Sequence, residues 1–161
     1  MRAAIVLIST AALLAVCNAD TTYVANLNGA SITPSPVNTQ QDGKVQFNVD
    51  RNTFSQSSIN YRISLTLYKT VQSITLRSGV IGDIPPNDNS NVIAYLFGPS
   101  NDAPTGEITG TLKRDNLMGP CQGKTINDFQ DDWLDKSHAY ILVTTSKYPQ
   151  GALRGELTKQ S

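Results

Sequence analysis

The chain has 161 residues, 39% of them hydrophobic and 16% charged, with 13 basic and 13 acidic side chains and a formal net charge of zero. That balance, with Arg51, Arg62, Arg77, Arg114 and Arg154 scattered rather than clustered, argues against a nucleic-acid partner. The length suits a single domain that buries about two thirds of the surface its unfolded chain exposes, without relying on disulfides.

Met1 to Ala19 reads as a secretory signal peptide. Arg2 is followed by small and apolar residues from Ala3 to Val16, and small residues at Cys17 and Ala19 place a cleavage site before Asp20. A lipidated Cys17 fits less well, because bulky Val16 stands where a small residue is expected. Cleavage leaves residues 20–161 as one domain of 142 residues with 12 basic and 13 acidic side chains. Its only thiol is Cys121, so no intramolecular disulfide is available. No later segment is apolar for long enough to be a membrane helix. The expectation is a secreted, extracellular protein.

Tyr23 to Leu27 is a first strand, ended by Asn28-Gly29, and Ser31 to Gln41 is a polar crossing around Pro34 and Pro36. Gly43 to Asp50 alternates, with Val45, Phe47 and Val49 on one face and Lys44, Gln46 and Asn48 on the other. The same period runs from Ile59 through Tyr61, Ile63, Leu65 and Leu67, and Val71 to Arg77 is the expected partner of that strand. Gly79 to Ser90 is loop by composition, and its acid and amide residues match no calcium-binding spacing. The unbroken apolar run Val92 to Phe97 predicts a strand buried on both sides, ended by Gly98-Pro99.

Gly106 to Leu112 and Gly151 to Leu157 share the pattern Gly-x-apolar-x-Gly-x-Leu. In extended chain both glycines lie on the apolar face, leaving gaps where an aromatic ring or a neighbouring backbone can approach. Between them, Leu117 and Met118 read as core anchors. Ile126, Phe129 and Trp133 then recur at helical spacing, with Thr125 as cap and Asp128 three residues on. The last hairpin is Ala139 to Thr145, the corner at Pro149 and Gly151, and the strand through Leu157. The sum is an all-β fold: an antiparallel immunoglobulin-like or Greek-key β-sandwich or barrel of about eight strands with one short connecting helix.

Leu27-Asn28-Gly29-Ala30, the Pro34 to Val37 crossing, the Gly106 to Leu112 strand, and Tyr140 to Thr145 with Pro149, Gly151 and Arg154-Gly155 resemble the CHRD (chordin-type) domain family over Tyr23 to Leu157. The resemblance implies a secreted or cell-surface β-domain, repeated in an extracellular growth-factor antagonist and mostly without assigned activity. Many members carry a His-x-His pair and a further His before the Thr of the closing strand. If these form a metal cluster, as their likeness to the strand histidines of copper-zinc superoxide dismutases suggests, this chain departs from it, because the matching positions are Thr75, Arg77 and Thr144. Hydroxyls and a guanidinium do not replace neutral imidazoles. The lone His138 reads as a surface histidine.

No catalytic motif is evident. A Cys121–His138 pair is not excluded by spacing, but only Lys124 is near enough in sequence to activate the thiol. The residues singled out for structure or interaction are Arg154, Tyr140, Gly151 and Gly155. Arg154, on a strand flanked by glycine, is expected to lie flat and donate hydrogen bonds in a structural role. Cys121, between turn residues, has two readings: an accessible thiol that is capped or links two chains in a disulfide dimer, or a small apolar residue tucked under the helix. The expected function is a non-enzymatic extracellular binding or structural module, without cofactor, for an extracellular protein or glycan. The alternative is a metal-dependent redox domain.

Overall fold

The computed structural model describes residues 20–50, 57–66, 70–79, 89–102, 104 and 106–161. The expected signal peptide, and the loop residues around Gly82 and Pro85-Pro86, lie outside them. The strands are β1 (Thr21–Asn28), β2 (Asp42–Asp50), β3 (Ser58–Leu65), β4 (Val71–Ser78), β5 (Val92–Phe97), β6 (Ile108–Leu112), β7 (Ala139–Thr145), β8 (Leu153–Glu156) and the short β9 (Thr158–Lys159). All pairings are antiparallel. Eight strands run in the order β5-β4-β7-β8-β1-β2-β3-β6, a nearly closed barrel, and β9 attaches to β1.

Alternation along the strands directs Tyr23, Ala25, Val45, Phe47, Ile59, Ile63, Ile74, Leu76, Ile141 and Leu153 into one interior cluster. The helix begins as expected. α1 (Ile126–Phe129) is capped by Thr125, whose Oγ1 accepts from Asp128 N at 3.1 Å while Asp128 Oδ2 accepts from Thr125 N at 3.0 Å. It continues as a π-helical turn, Gln130–Leu134. Ile126, Phe129 and Leu134 join the interior cluster.

Three expectations are corrected. β3 pairs with β2 and β6, whereas the Val71 strand pairs with β5 and β7. The period of β3 showed which face is buried and carried nothing about which strand lies beside it. The apolar run β5 stands at one end of the strand order, and Tyr95 is 42% exposed. The strand covered on both faces is β7, where Ala139, Ile141 and Val143 enter the interior while Tyr140 and Leu142 join a second cluster with Ile32. Met118 is 38% exposed, so only Leu117 of that pair anchors the core.

The second glycine of each echo permits close approach, whereas Gly106, at φ 82° before β6, has no atom near enough to require a glycine for space. A Cβ on Gly110 would overlap the Tyr61 ring, and one on Gly155 would overlap the Asn26 carbonyl of β1. Tyr61 passes Gly110 to donate its hydroxyl to the Leu96 carbonyl of β5 at 3.0 Å. This bond links β3, beside edge strand β6, to the opposite edge strand β5.

Candidate functional site

The second apolar cluster lies on the outer face of β4-β7-β8 and needs a cover. The chain after β1 provides it. Asn28 Oδ1 accepts from Ser31 N at 2.8 Å, and the Gly29 carbonyl accepts from Ile32 N at 3.2 Å and Val37 N at 2.9 Å. Asn28 and Gly29 thereby fold the crossing back over the sheet, and Ile32 packs with Tyr140 and Leu142. The β7–β8 corner is tied similarly: Tyr148 N donates to Thr145 Oγ1 at 3.0 Å and Gly151 N to the Tyr148 carbonyl at 3.1 Å. Gly151 has φ 138°, and a Cβ there would stand 3.0 Å from both Ile32 Cδ1 and Leu142 Cδ1. The positive φ calls for glycine, and a Cβ would in addition need the Ile32 and Leu142 side-chain tips to give way slightly.

Between these two loops lies a cleft of about 540 Å³. Ile32, Pro34, Val37, Tyr148 and Pro149 give it apolar walls, with Ser35, Lys147 and Gln150 also lining it. Lys147 Nζ stands 5.1 Å from the centroid of the Tyr148 ring, within cation–π range. An apolar cleft of this size with a few polar groups is the usual form of a binding site.

Beneath the covering loop runs a buried polar chain. The Arg154 guanidinium carbon lies 3.8 Å from the centroid of the Tyr140 ring, and Nη1 donates to Thr33 Oγ1 at 3.0 Å. The Tyr140 hydroxyl accepts from Asn91 Nδ2 at 3.0 Å, Asn91 Oδ1 accepts from Arg77 Nη1 at 3.1 Å, and Arg77 Nε donates to Thr75 Oγ1 at 2.9 Å. Arg154, Tyr140, Asn91, Arg77 and Thr75 are all buried. Thr144 stands apart from this chain, paired with Ser73 through hydroxyls 2.7 Å apart.

Thr75, Arg77 and Thr144 do not suit a metal ion. Two hydroxyls, one already holding an arginine, and a buried guanidinium cation give no neutral nitrogen or anionic donor. The described residues contain no group of three His, Cys, Asp or Glu side chains able to hold a metal.

Cys121 is fully buried in the interior cluster, and burial pushes its thiol up to about 12. The accessible-thiol reading, and with it the disulfide-linked dimer, is at odds with this position; the turn residues around Cys121 cap a 3-10 turn whose last residue points inward. His138 is exposed, so a buried, protonated thiol and a surface imidazole make no nucleophilic pair.

The sequence brought out Arg154, Tyr140, Gly151 and Gly155. The structure places Arg154 and Tyr140 in one stack and Gly151 at the cleft, while Gly155 packs against β1. Sequence reasoning missed Asn91, Ile32, Val37 and Lys147. Two apolar residues inside a polar, proline-containing crossing were a usable signal for Ile32 and Val37; Asn91 carried none.

Residues 23–157 match the CHRD domain, which is most of the chain. No curated protein and no solved structure matches it.

Proposed function

The chain belongs to the CHRD domain family, and on that premise we propose that it is a secreted, non-enzymatic extracellular module that binds a protein partner through the cleft between Ile32–Val37 and Lys147–Gly151. The cleft carries the reading. Its walls suit an apolar or proline-containing segment, and Lys147 stands ready for a carboxylate or carbonyl on the partner. The signal-like residues 1–19 support secretion. Against a redox role stands the donor chemistry at positions 75, 77 and 144.

The test has two arms. N-terminal sequencing of protein recovered from the medium should begin at Asp20, and retention inside the cell would overturn secretion. Capture from native extracellular material, followed by titration of the captured component in purified form, should succeed with the wild-type protein and fail with Tyr148→Ser and Val37→Ser. Equal affinity for all three proteins would remove the cleft from the proposal.

A further inference from the structure

The outer face of β1-β2-β3-β6, which adjoins the covered β4-β7-β8 face at the β8–β1 pairing, carries a cross-strand row of uncharged hydrogen-bonding residues. Thr22 faces Asn48, Asn48 faces Asn60, and Asn60 faces Thr111. At strand spacings of about 4.8 Å the row spans about 14 Å. The next row contains Gln46, Arg62 and Thr109 in register. Beside β6 this face has a depression of about 340 Å³ lined by Asn48, Asn60, Arg62, Thr109 and Thr111 and by the Tyr61–Gly110 pair.

An ordinary solvated face would leave its amides free to turn. Here both are held. Asn48 Oδ1 accepts from Thr22 Oγ1 and from Gln46 Nε2, each at 3.0 Å, and Asn60 Oδ1 accepts from Thr111 Oγ1 at 2.8 Å. With their acceptors engaged inside the protein, each side chain presents its Nδ2 hydrogens as fixed donors. Arg62, the only cation among the described residues lining the depression, is balanced by Glu107, with Nη1 3.5 Å from Oε1. The described lining is therefore close to neutral, pre-oriented to donate, and supplied with threonine hydroxyl acceptors alongside.

We propose that this face is a binding surface for a neutral polysaccharide. A chain of sugar rings offers hydroxyls that both accept and donate, at a repeat comparable to the strand spacing, and carries no charge for the paired Arg62 to satisfy. An anionic glycan would instead require uncompensated cations. The proposal is independent of the cleft, so the two surfaces fail separately.

The test incubates the purified full-length secreted protein with particles of cellulose, chitin and a β-glucan, with heparin resin as the anionic control. Expected is retention on at least one neutral polymer that persists in high salt, since no net charge is involved. Asn48→Ala with Asn60→Ala should weaken that retention at least about tenfold through loss of two held donors. Thr109→Trp, which obstructs the depression from an exposed position, should do the same, and Tyr148→Ser should not. A thermal melt of each variant shows whether it is folded, and Thr109→Trp removes no hydrogen bond if the double variant is not. Absence of retention on all three neutral polymers, retention unchanged in both face variants, or retention on heparin alone that salt abolishes would overturn the proposal. So would a dimer in sedimentation that the face variants dissociate, because the occupant would then be a second copy.

Discussion

The Arg154 guanidinium stacks on the Tyr140 ring at 3.8 Å, joining β8 to β7 beneath the Ile32–Val37 loop. Both side chains are at most 1% exposed, so the contact is desolvated and stronger than a surface cation–π pair. Arg154→Ala should destabilise the protein by about 2–4 kcal/mol, from the lost stack and the cavity left behind. Arg154→Lys should recover only a minor part, because an ammonium neither stacks flat nor keeps the fork that reaches Thr33. Urea unfolding checks this; an unchanged midpoint in Arg154→Ala would make the stack incidental.

The two echoed glycines should differ in cost. Gly155→Ala drives a methyl into the Asn26 backbone, which cannot move without displacing β1, and should be the more damaging. Gly110→Ala meets the Tyr61 ring, and a cost of about 1–3 kcal/mol is expected. In a Tyr61→Leu background the Gly110→Ala penalty should shrink, and a double-mutant cycle measures the coupling. Additive effects would mean that the ring does not require the glycine.

Cys121 should resist alkylation in the folded protein and react only after denaturation, with a single mass increment. Its folded thiol pKa lies above the ordinary value, at about 12, through burial. A raised pKa favours the neutral thiol, so its contribution to stability is complete below the ordinary thiol range and is lost as pH rises from there through about 12. Cys121→Ala should flatten the part of the alkaline stability profile that this group controls. Rapid native alkylation, or a reducible dimer on electrophoresis, would show that the thiol is reachable.

Thr125→Ala should cost about 1 kcal/mol by removing the cap on α1. The hydrogen bonds from Thr125 hold the Asp128 carboxyl below the ordinary range. A lowered pKa means the cap is strongest above the ordinary carboxylate range and weakens as pH falls through the folded value. The difference in stability between wild type and Thr125→Ala should accordingly narrow in acid. A constant difference down to strongly acidic pH would separate the cap from Asp128 ionisation.

Much of this organisation could be read along the chain. The alternation in β2 and β3 named the buried face residue by residue, and Thr125 with Asp128 marked the start of α1. The glycine echo anticipated close approach, by a ring at Gly110 and by backbone at Gly155. Arg154 was expected to lie flat and donate hydrogen bonds, and its guanidinium lies over the Tyr140 ring and donates to Thr33.

Beyond the β7–β8 hairpin, which the corner at Pro149 and Gly151 marked in the sequence, which strand lies beside which was decided only in three dimensions. Backbone hydrogen bonds are the same for every sequence, so a period of two records burial and leaves the neighbour open. The Val71 strand follows β3 directly and was its natural hairpin partner, yet it pairs with β7 across most of its length. Two-sided burial likewise depends on what covers the outer face. β5 is as apolar as β7, but only β7 lies under the loop that carries Ile32, and that loop brings together the cleft, Tyr140 and Arg154 from segments more than a hundred residues apart. Local sequence determined the strands, the helix start and the positions that must be glycine; the neighbours that make a site of them came from long-range packing, which no local pattern encodes.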